Sequence, residues 1–487
     1  MRRIRQWRIS GGAALLLLGA SLPAQAHSFG KTYALPVPLW LYTYGAAAAL
    51  ILSLFVAAWL LHAPAQMPAT GTRPLADEPL PAGPGWRLWQ ALSLAGLVLA
   101  MATGFLGSRN PYGNFSMTWF WVIFMLGSTY VSALVGGGNA RANPWHVLVM
   151  ALARVARPWR DGIWRYPAWL GCWPALLLYM GLIWSELFAH VVPFTLAALL
   201  LGYTLFTLLA SAAFGARDWL RHGECFSVFL RLIGLMSLRH QGRWRMPFSG
   251  LTDSRCDSFG LLVFLLFMLS ATSFDGLHET APWVRLFWAD LLAQLRPWLT
   301  PPLISHYALL LDLYLLWQTL WLLLSPFLYL LLYLACVVLM KALTGSHLSV
   351  RDLALRFAFS LLPIVLVYHL SHYLALLLSQ GTQLLPLLSD PFGRGWNLFG
   401  TAGWLRVPLL LDAGTLWHAQ VLLIVAGHVV SVWLAHVEAL RVFGSARLAL
   451  RSQWPMLVLM VMFTTTGLWI LAQPFSPGIG LRLLSGS

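Results

Sequence analysis

The stretch that decides the fold is residues 258–274, SFGLLVFLLFMLSATSF, which contain no charged side chain. This length is close to the roughly 20 apolar residues that a helix needs to cross the hydrocarbon core of a bilayer. The rest of the chain shares this character, because 59% of its 487 residues are hydrophobic and only 10% are charged. Soluble proteins carry about 25% charged residues. The composition therefore predicts an integral membrane protein and excludes both a soluble globule and a disordered chain.

Nine further segments have a similar length and hydropathy, so we expect an all-α bundle of ten transmembrane helices that forms one domain over residues 27–487. The predicted spans are 38–61, 87–107, 116–136, 167–185, 193–214, 258–274, about 307–343, 352–379, 418–440 and 455–473. Residues 307–343 would be roughly 55 Å long as one helix. We interpret them as a single span, because two spans would reverse the charge distribution of the later loops.

Two loops have the pattern of amphipathic helices that lie on the membrane surface. The first begins at Asn143-Pro144-Trp145, where Asn143 is a suitable N-cap and Pro144 suits the first helical position. The second, residues 217–240, mixes arginine with large apolar side chains. We expect both helices to lie at the headgroup region, with arginine facing anionic lipid.

The N-terminus has the pattern of a cleaved secretory signal. Residues 1–26 combine a basic start with an apolar run and end in Ala24-Gln25-Ala26, which fits an A-x-A cleavage site. Cleavage would make His27 the mature N-terminus, where the α-amine and the imidazole could chelate one metal ion together. Such nitrogen donors suit copper. An uncleaved first helix is the alternative.

The distribution of basic residues predicts the orientation. With the mature N-terminus in the periplasm, the loops expected on the cytoplasmic side hold 20 of the 31 Lys and Arg residues, the signal segment holds 4, and the periplasmic side holds 7. The positive-inside rule therefore predicts a multi-pass protein of the bacterial inner membrane with a periplasmic N-terminus. The same asymmetry attributes the net charge of +15 to cytoplasmic loops and predicts no nucleic-acid partner.

Polar residues inside the predicted spans indicate the candidate site, because ionisable groups there are costly and usually functional. His369 and His372 are three residues apart in span eight, so they share one face of the helix. His428 lies near the middle of span nine. Glu186 and Asp275 follow spans four and six, so the topology places both carboxylates on the same side of the membrane as the histidine pair.

From these positions we predict a metal site that holds a divalent or copper ion. The predicted ligands are His27, His369, His372 and His428. The predicted catalytic carboxylates, each a general base or a group that orients a histidine ligand, are Glu186 and Asp275. A proton relay in a transporter and simple polar contacts between helices remain open as alternatives. Five histidines are expected near the cytoplasmic face and outside the site: His146, His222, His240, His347 and His436.

Several strings along the chain form a further pattern. They are His27-Ser28-Phe29-Gly30, Asn143-Pro144-Trp145, Trp184-Ser185-Glu186-Leu187, Ser273-Phe274-Asp275-Gly276-Leu277, His372-Tyr373, Gly427-His428 and Gln453-Trp454-Pro455-Met456. Together they resemble the bacterial inner-membrane fenitrothion hydrolase family over nearly the whole chain. The resemblance implies hydrolysis of an organophosphorus triester at its P–O–aryl bond with release of a nitrophenol. It implies no particular catalytic residues.

We therefore expect a membrane-embedded hydrolase of lipophilic organophosphorus triesters. A metal ion would polarise the P=O or P=S group and lower the pKa of a bound water. The expected partners are the lipid bilayer and a lipophilic small-molecule substrate, with a related membrane subunit as a further candidate. The alternative functions are copper handling or proton-coupled transport, with incidental hydrolysis or none.

Overall fold

The computed structural model describes residues 38–60, 73–74, 83–136, 138–240, 243–295, 297, 303–404 and 411–473. Ten helices in this part of the chain are long and apolar enough to cross a membrane. They are numbered here as spans one to ten: Leu39–Trp59, Pro84–Leu106, Phe115–Val135, Ala168–Phe188, Pro193–Phe214, Phe259–His278, Tyr307–Thr344, Val350–Ser389, Ala413–Phe443 and Ala446–Ala472. The predicted all-α polytopic fold is thereby confirmed. The predicted signal segment and His27 lie outside the described residues.

Short elements connect the spans. The helical ones are Pro111–Gly113, Asn139–Ala142, Pro144–Val155, Arg157–Asp161, Ala216–Asp218, Trp219–Gly223, Cys225–Gly234, Ser249–Asp253, Ala281–Arg285, Leu286–Leu291, Leu292–Leu295 and Leu303–His306. Two small strand pairs join loops at the ends of the bundle. Arg73–Pro74 pairs in parallel with Ser254–Arg255, and Arg239–His240 pairs in antiparallel fashion with Arg243–Trp244.

Span six lies at the centre of the bundle. Within the protein, 89% of its apolar window is buried, whereas spans one and two each have 22% of theirs buried. Spans four, seven, eight and ten pack around it. A helix that is apolar on all sides is expected where neighbouring helices surround it. The polar residues at the end of span six are therefore enclosed by protein.

Residues Tyr307–Thr344 form one continuous helix of 38 residues, so span seven is a single helix as predicted. Pro326 lies inside it and removes one backbone donor. In the preceding residue, the hydroxyl of Ser325 donates to Oγ of Ser270 on span six at 2.8 Å. This polar contact fixes the middle of the long helix against the central one.

Spans nine and ten begin earlier than the sequence suggested. Span nine starts at Ala413 because Asp412 accepts a hydrogen bond from the backbone N–H of Thr415 and caps the helix. Span ten starts at Ala446, and its helix continues through Pro455, the first residue of the predicted span. The predicted starts at 418 and 455 are corrected accordingly.

One of the two expected surface helices is buried inside the protein. Every residue of Cys225–Gly234 is buried except Arg231. This buried helix packs against spans three, four and eight. The other helix, Pro144–Val155, buries one face only. The expectation of a surface position for residues 217–240 is therefore corrected.

The carboxylate of Glu224 caps the start of this buried helix. Glu224 precedes the helix and is fully buried. Its side chain accepts hydrogen bonds from the backbone N–H of Ser227 at 2.7 Å and from Nδ2 of Asn143 at 2.7 Å. The hydroxyl of Tyr203 also donates to it. A buried carboxylate is tolerated when its oxygens have such donors.

Candidate functional site

A small cavity of about 30 Å³ lies between spans three, four, six and eight. Apolar side chains such as Ile183 and Leu376 form most of its wall. Polar groups from three different spans interrupt this wall: Glu186, Asp275, His369 and Tyr373. A mostly apolar pocket with a few convergent polar groups is the usual form of a small-molecule site.

Asp275 is the centre of the polar group. Its side chain is 3% exposed. The Nε2 atom of His372 lies 2.8 Å from Oδ2 of Asp275, and the hydroxyl of Tyr373 donates to the same oxygen at 2.8 Å. Since His372 and Tyr373 are neighbours on span eight, one turn of that helix holds the carboxylate of span six.

Glu186 joins this group through the same tyrosine. The Tyr373 hydroxyl lies 3.4 Å from Oε1 of Glu186. A hydroxyl has one hydrogen, and that hydrogen serves Asp275 at the shorter distance. The contact with Glu186 is therefore the weaker of the two. Two carboxylates are thus connected through one tyrosine.

His369 lines the cavity one helical turn before Tyr373. Its ring centroid lies 4.9 Å from that of Tyr373 and 6.2 Å from that of Tyr130 on span three. The Nδ1 atom is buried and has no hydrogen-bond partner among the described residues. A buried polar atom without a partner is costly, so this nitrogen is available to a bound molecule.

Gly276 allows spans six, eight and ten to approach closely beside this group. A Cβ atom at Gly276 would lie 2.6 Å from Cγ2 of Ile470 and 3.7 Å from Cε1 of His372. The first distance is too short for a side chain to be present. Asp275 therefore supplies the carboxylate, and Gly276 allows the close helix packing that brings this carboxylate to span eight.

The predicted site residues divide into two groups. The structure brings Glu186, Asp275, His369 and His372 together, and it places spans eight and nine in contact, as expected. It does not place His428 among the residues that line the cavity. The Nδ1 atom of His428 instead lies 2.8 Å from the backbone oxygen of Ile424, within its own helix, and the imidazole is buried. The described hydrogen bond of this ring is thus internal to span nine.

The histidines expected outside the site also lie outside the cavity, as far as their side chains are described. The Nδ1 atom of His436 forms a hydrogen bond with Nε2 of Gln453 at 2.5 Å.

Sequence reasoning missed Tyr373 as a site residue. Its position directly after His372 was the available signal, since an adjacent phenol can reach the same partner.

Metal binding stays a prediction. Among the described residues, no group of three or more His, Cys, Asp or Glu side chains is arranged to hold a metal ion. His27, one of the four predicted ligands, lies outside the described residues. The site geometry that can be stated is therefore a carboxylate, imidazole and phenol cluster.

Comparison of the chain with protein-family models, curated proteins and solved structures gives no significant match.

Proposed function

We propose that the protein is a membrane-embedded hydrolase of uncharged, lipophilic phosphotriesters and that the cavity holds its active site. The observation that supports this most is Asp275, a buried carboxylate held by two side chains at the wall of a mostly apolar cavity. An uncharged triester can partition into the bilayer and suits an apolar wall. The carboxylate supplies the base that hydrolysis requires.

The reaction needs one water molecule and one base. Asp275 accepts a proton from the water, and the resulting hydroxide oxygen forms a bond to phosphorus. The P–O–aryl bond breaks, and its electron pair leaves with the aryl oxygen as a nitrophenolate. A nitrophenolate is a good leaving group, so this step needs no strong acid. His372 and Tyr373 fix the direction of the carboxylate toward the cavity.

A metal ion remains part of this proposal. His369 and His372, with Glu186 or Asp275, are the described side chains that would hold it. When bound, such an ion would polarise the P=O or P=S group. Proton transfer to Asp275 and loss of the aryl oxide do not themselves require the ion, so absence of metal would refute the metal site but not the carboxylate base.

The proposal is tested with purified protein in liposomes and a dialkyl nitrophenyl phosphotriester as the probe. We expect nitrophenolate release above that of empty liposomes, measured by absorbance. A parallel sample treated with a chelator reports the contribution of metal. If folded protein gives no release with or without added zinc or copper, the hydrolase proposal is overturned.

Proton transfer through the membrane is a second candidate, because polar contacts connect three spans. They run from His372 to Asp275, then to Tyr373, and from there to Glu186. Such chains of ionisable groups mark proton pathways in membrane proteins. A pH-sensitive dye inside liposomes distinguishes this function, since proton flux without any ester would favour it. The copper-handling alternative depends on His27, which lies outside the described residues.

A further inference from the structure

A second cleft lies at the opposite end of the bundle from the polar cavity. It is lined by the residues that precede span six, begin span eight and end span nine. In an alternating bundle these ends share one side, opposite the ends that carry Glu186 and Asp275. The described charged groups of the cleft are Arg255, Arg356, Glu438 and Arg441.

Positive charge is in excess in this cleft, since three arginines face a single carboxylate. Oε1 of Glu438 lies 3.6 Å from Nη1 of Arg356, and Oε2 lies 3.6 Å from Nη1 of Arg441. Good hydrogen bonds between nitrogen and oxygen are about 2.7–3.2 Å long. The carboxylate is therefore shared loosely between two guanidinium groups and neutralises at most one of them.

Most of the guanidinium donors in the cleft are unused. Arg441 donates from Nη1 to the backbone oxygen of Thr252 at 2.7 Å, but its buried Nε has no hydrogen-bond partner. The guanidinium groups of Arg255 and Arg356 make no hydrogen bond to the described residues apart from the loose contact of Arg356 with Glu438. A buried donor such as Nε of Arg441 is costly without a partner, and an anion with several oxygens could accept from it and from the more exposed guanidinium groups beside it.

We propose that this cleft binds a phosphate-bearing anion, which is either the headgroup of an anionic phospholipid or a soluble phosphate ester. The planar fork of arginine donors matches the oxygens of phosphate. Ser254 adds a hydroxyl to the same wall. The cleft also lies at the ends of membrane-spanning helices, which is the depth of lipid headgroups. This inference does not depend on the hydrolase proposal.

The test measures anion binding in two arms with full-length protein. In the lipid arm, native mass spectrometry follows the phospholipid retained after exchange from phosphatidylglycerol or phosphatidylcholine vesicles. In the soluble arm, thermal unfolding in detergent is followed at increasing concentrations of inorganic phosphate. Retention of phosphatidylglycerol only assigns the site to a lipid headgroup. Stabilisation by phosphate at low concentration assigns it to a soluble ester.

Three variants should change anion binding in three different ways. Arg356→Gln should weaken binding at least about tenfold, because one charged donor group is lost. Glu438→Gln should strengthen it, because the competing carboxylate is neutralised. Arg447→Gln removes an exposed arginine at the same end of the bundle but outside the cleft, and should leave binding unchanged.

The variants also show how the proposal fails. Absence of binding in both arms with the wild-type protein overturns it. Equal effects of Arg356→Gln and Arg447→Gln overturn it too, since the attraction would then be general surface charge. If Arg356→Gln does not fold, Glu438→Gln decides: unchanged or weaker binding refutes an anion site.

Discussion

The Nε2 atom of His372 lies 2.8 Å from Oδ2 of Asp275, across the contact between spans eight and six. Both side chains are almost fully buried, with 8% and 3% of their surfaces exposed. Removing one partner of a buried hydrogen bond costs about 1–3 kcal/mol when the other partner is left unsatisfied. Substitutions at this pair must therefore preserve a hydrogen bond if they are to report on function rather than on folding.

Asp275→Asn meets that requirement, because the amide oxygen can still accept from Tyr373. We expect it to lower nitrophenolate release by about 100-fold or more, since the base for water is lost. The measurement is the initial rate in liposomes at equal amounts of folded protein. Asp312→Asn is the matched control, because Asp312 is an exposed carboxylate near the start of span seven and outside the cavity. Equal rates of nitrophenolate release for the two variants would show that Asp275 is not the base.

Elemental analysis of the detergent-purified protein tests the predicted metal. We expect bound copper or a divalent metal in the wild-type protein and at least about tenfold weaker retention in His372→Gln, which removes the imidazole ligand but keeps a hydrogen-bond donor for Asp275. His347→Gln provides the control, since His347 is exposed at the other end of the bundle. If wild-type protein without metal still hydrolyses the ester, the predicted metal site is refuted and Asp275 remains as the proposed base.

Gly427→Ala should destabilise the contact between spans nine and eight. A Cβ atom at Gly427 would lie 2.7 Å from Cγ1 of Val367 and would also clash with the other methyl group. Overpacking of this kind costs about 1–3 kcal/mol. The midpoint of thermal unfolding in detergent measures the effect.

Gly181→Ala is the control for this change, because a Cβ atom at Gly181 in span four meets nothing within 4 Å. The double variant of Gly427→Ala with Val367→Ala should recover part of the lost stability. A midpoint for Gly427→Ala equal to that of Gly181→Ala would show that spans eight and nine do not pack as described.

Reporter fusions test the predicted orientation. Alkaline phosphatase fused after Ser487 should be active, because the charge distribution places the C-terminus in the periplasm. The same reporter fused after Thr344, at the end of span seven, should be inactive. The reverse pattern would invert the bundle and move the polar cavity to the cytoplasmic side.

Intact mass and N-terminal sequencing test signal processing. We expect the mature chain to begin at His27, because Ala24-Gln25-Ala26 fits the cleavage pattern. Replacing Ala24 with leucine should block processing and retain Met1. A wild-type protein that retains Met1 would exclude an amino-terminal chelate at His27.

The spans were predictable because they are long apolar runs, and the bilayer accepts no other arrangement of such runs. Their ends were less predictable. Pro455 lies inside span ten, whose helix runs from Ala446 to Ala472 and packs against spans one, seven and nine. Asp412, a common type of N-cap residue, caps span nine six residues before its predicted start.

The candidate site was predictable in part. The contact of Asp275 with His372 follows from topology, since both lie toward the same end of neighbouring helices. The separate position of His428 depends on how span nine is rotated about its own axis, which hydropathy does not fix. Burial of residues 225–234 depends on the donors that Asn143 and Tyr203 supply to Glu224, from parts of the chain far from it in sequence.

The buried helix Cys225–Gly234 has a consequence for biogenesis. Two of the spans that enclose it, three and four, are synthesised before it, but span eight is synthesised long afterwards. The ribosome therefore delivers a helix that is too short to cross the bilayer and whose binding groove is still incomplete. Its contacts with span eight can form only after that span has been made, so docking of this segment is completed out of chain order.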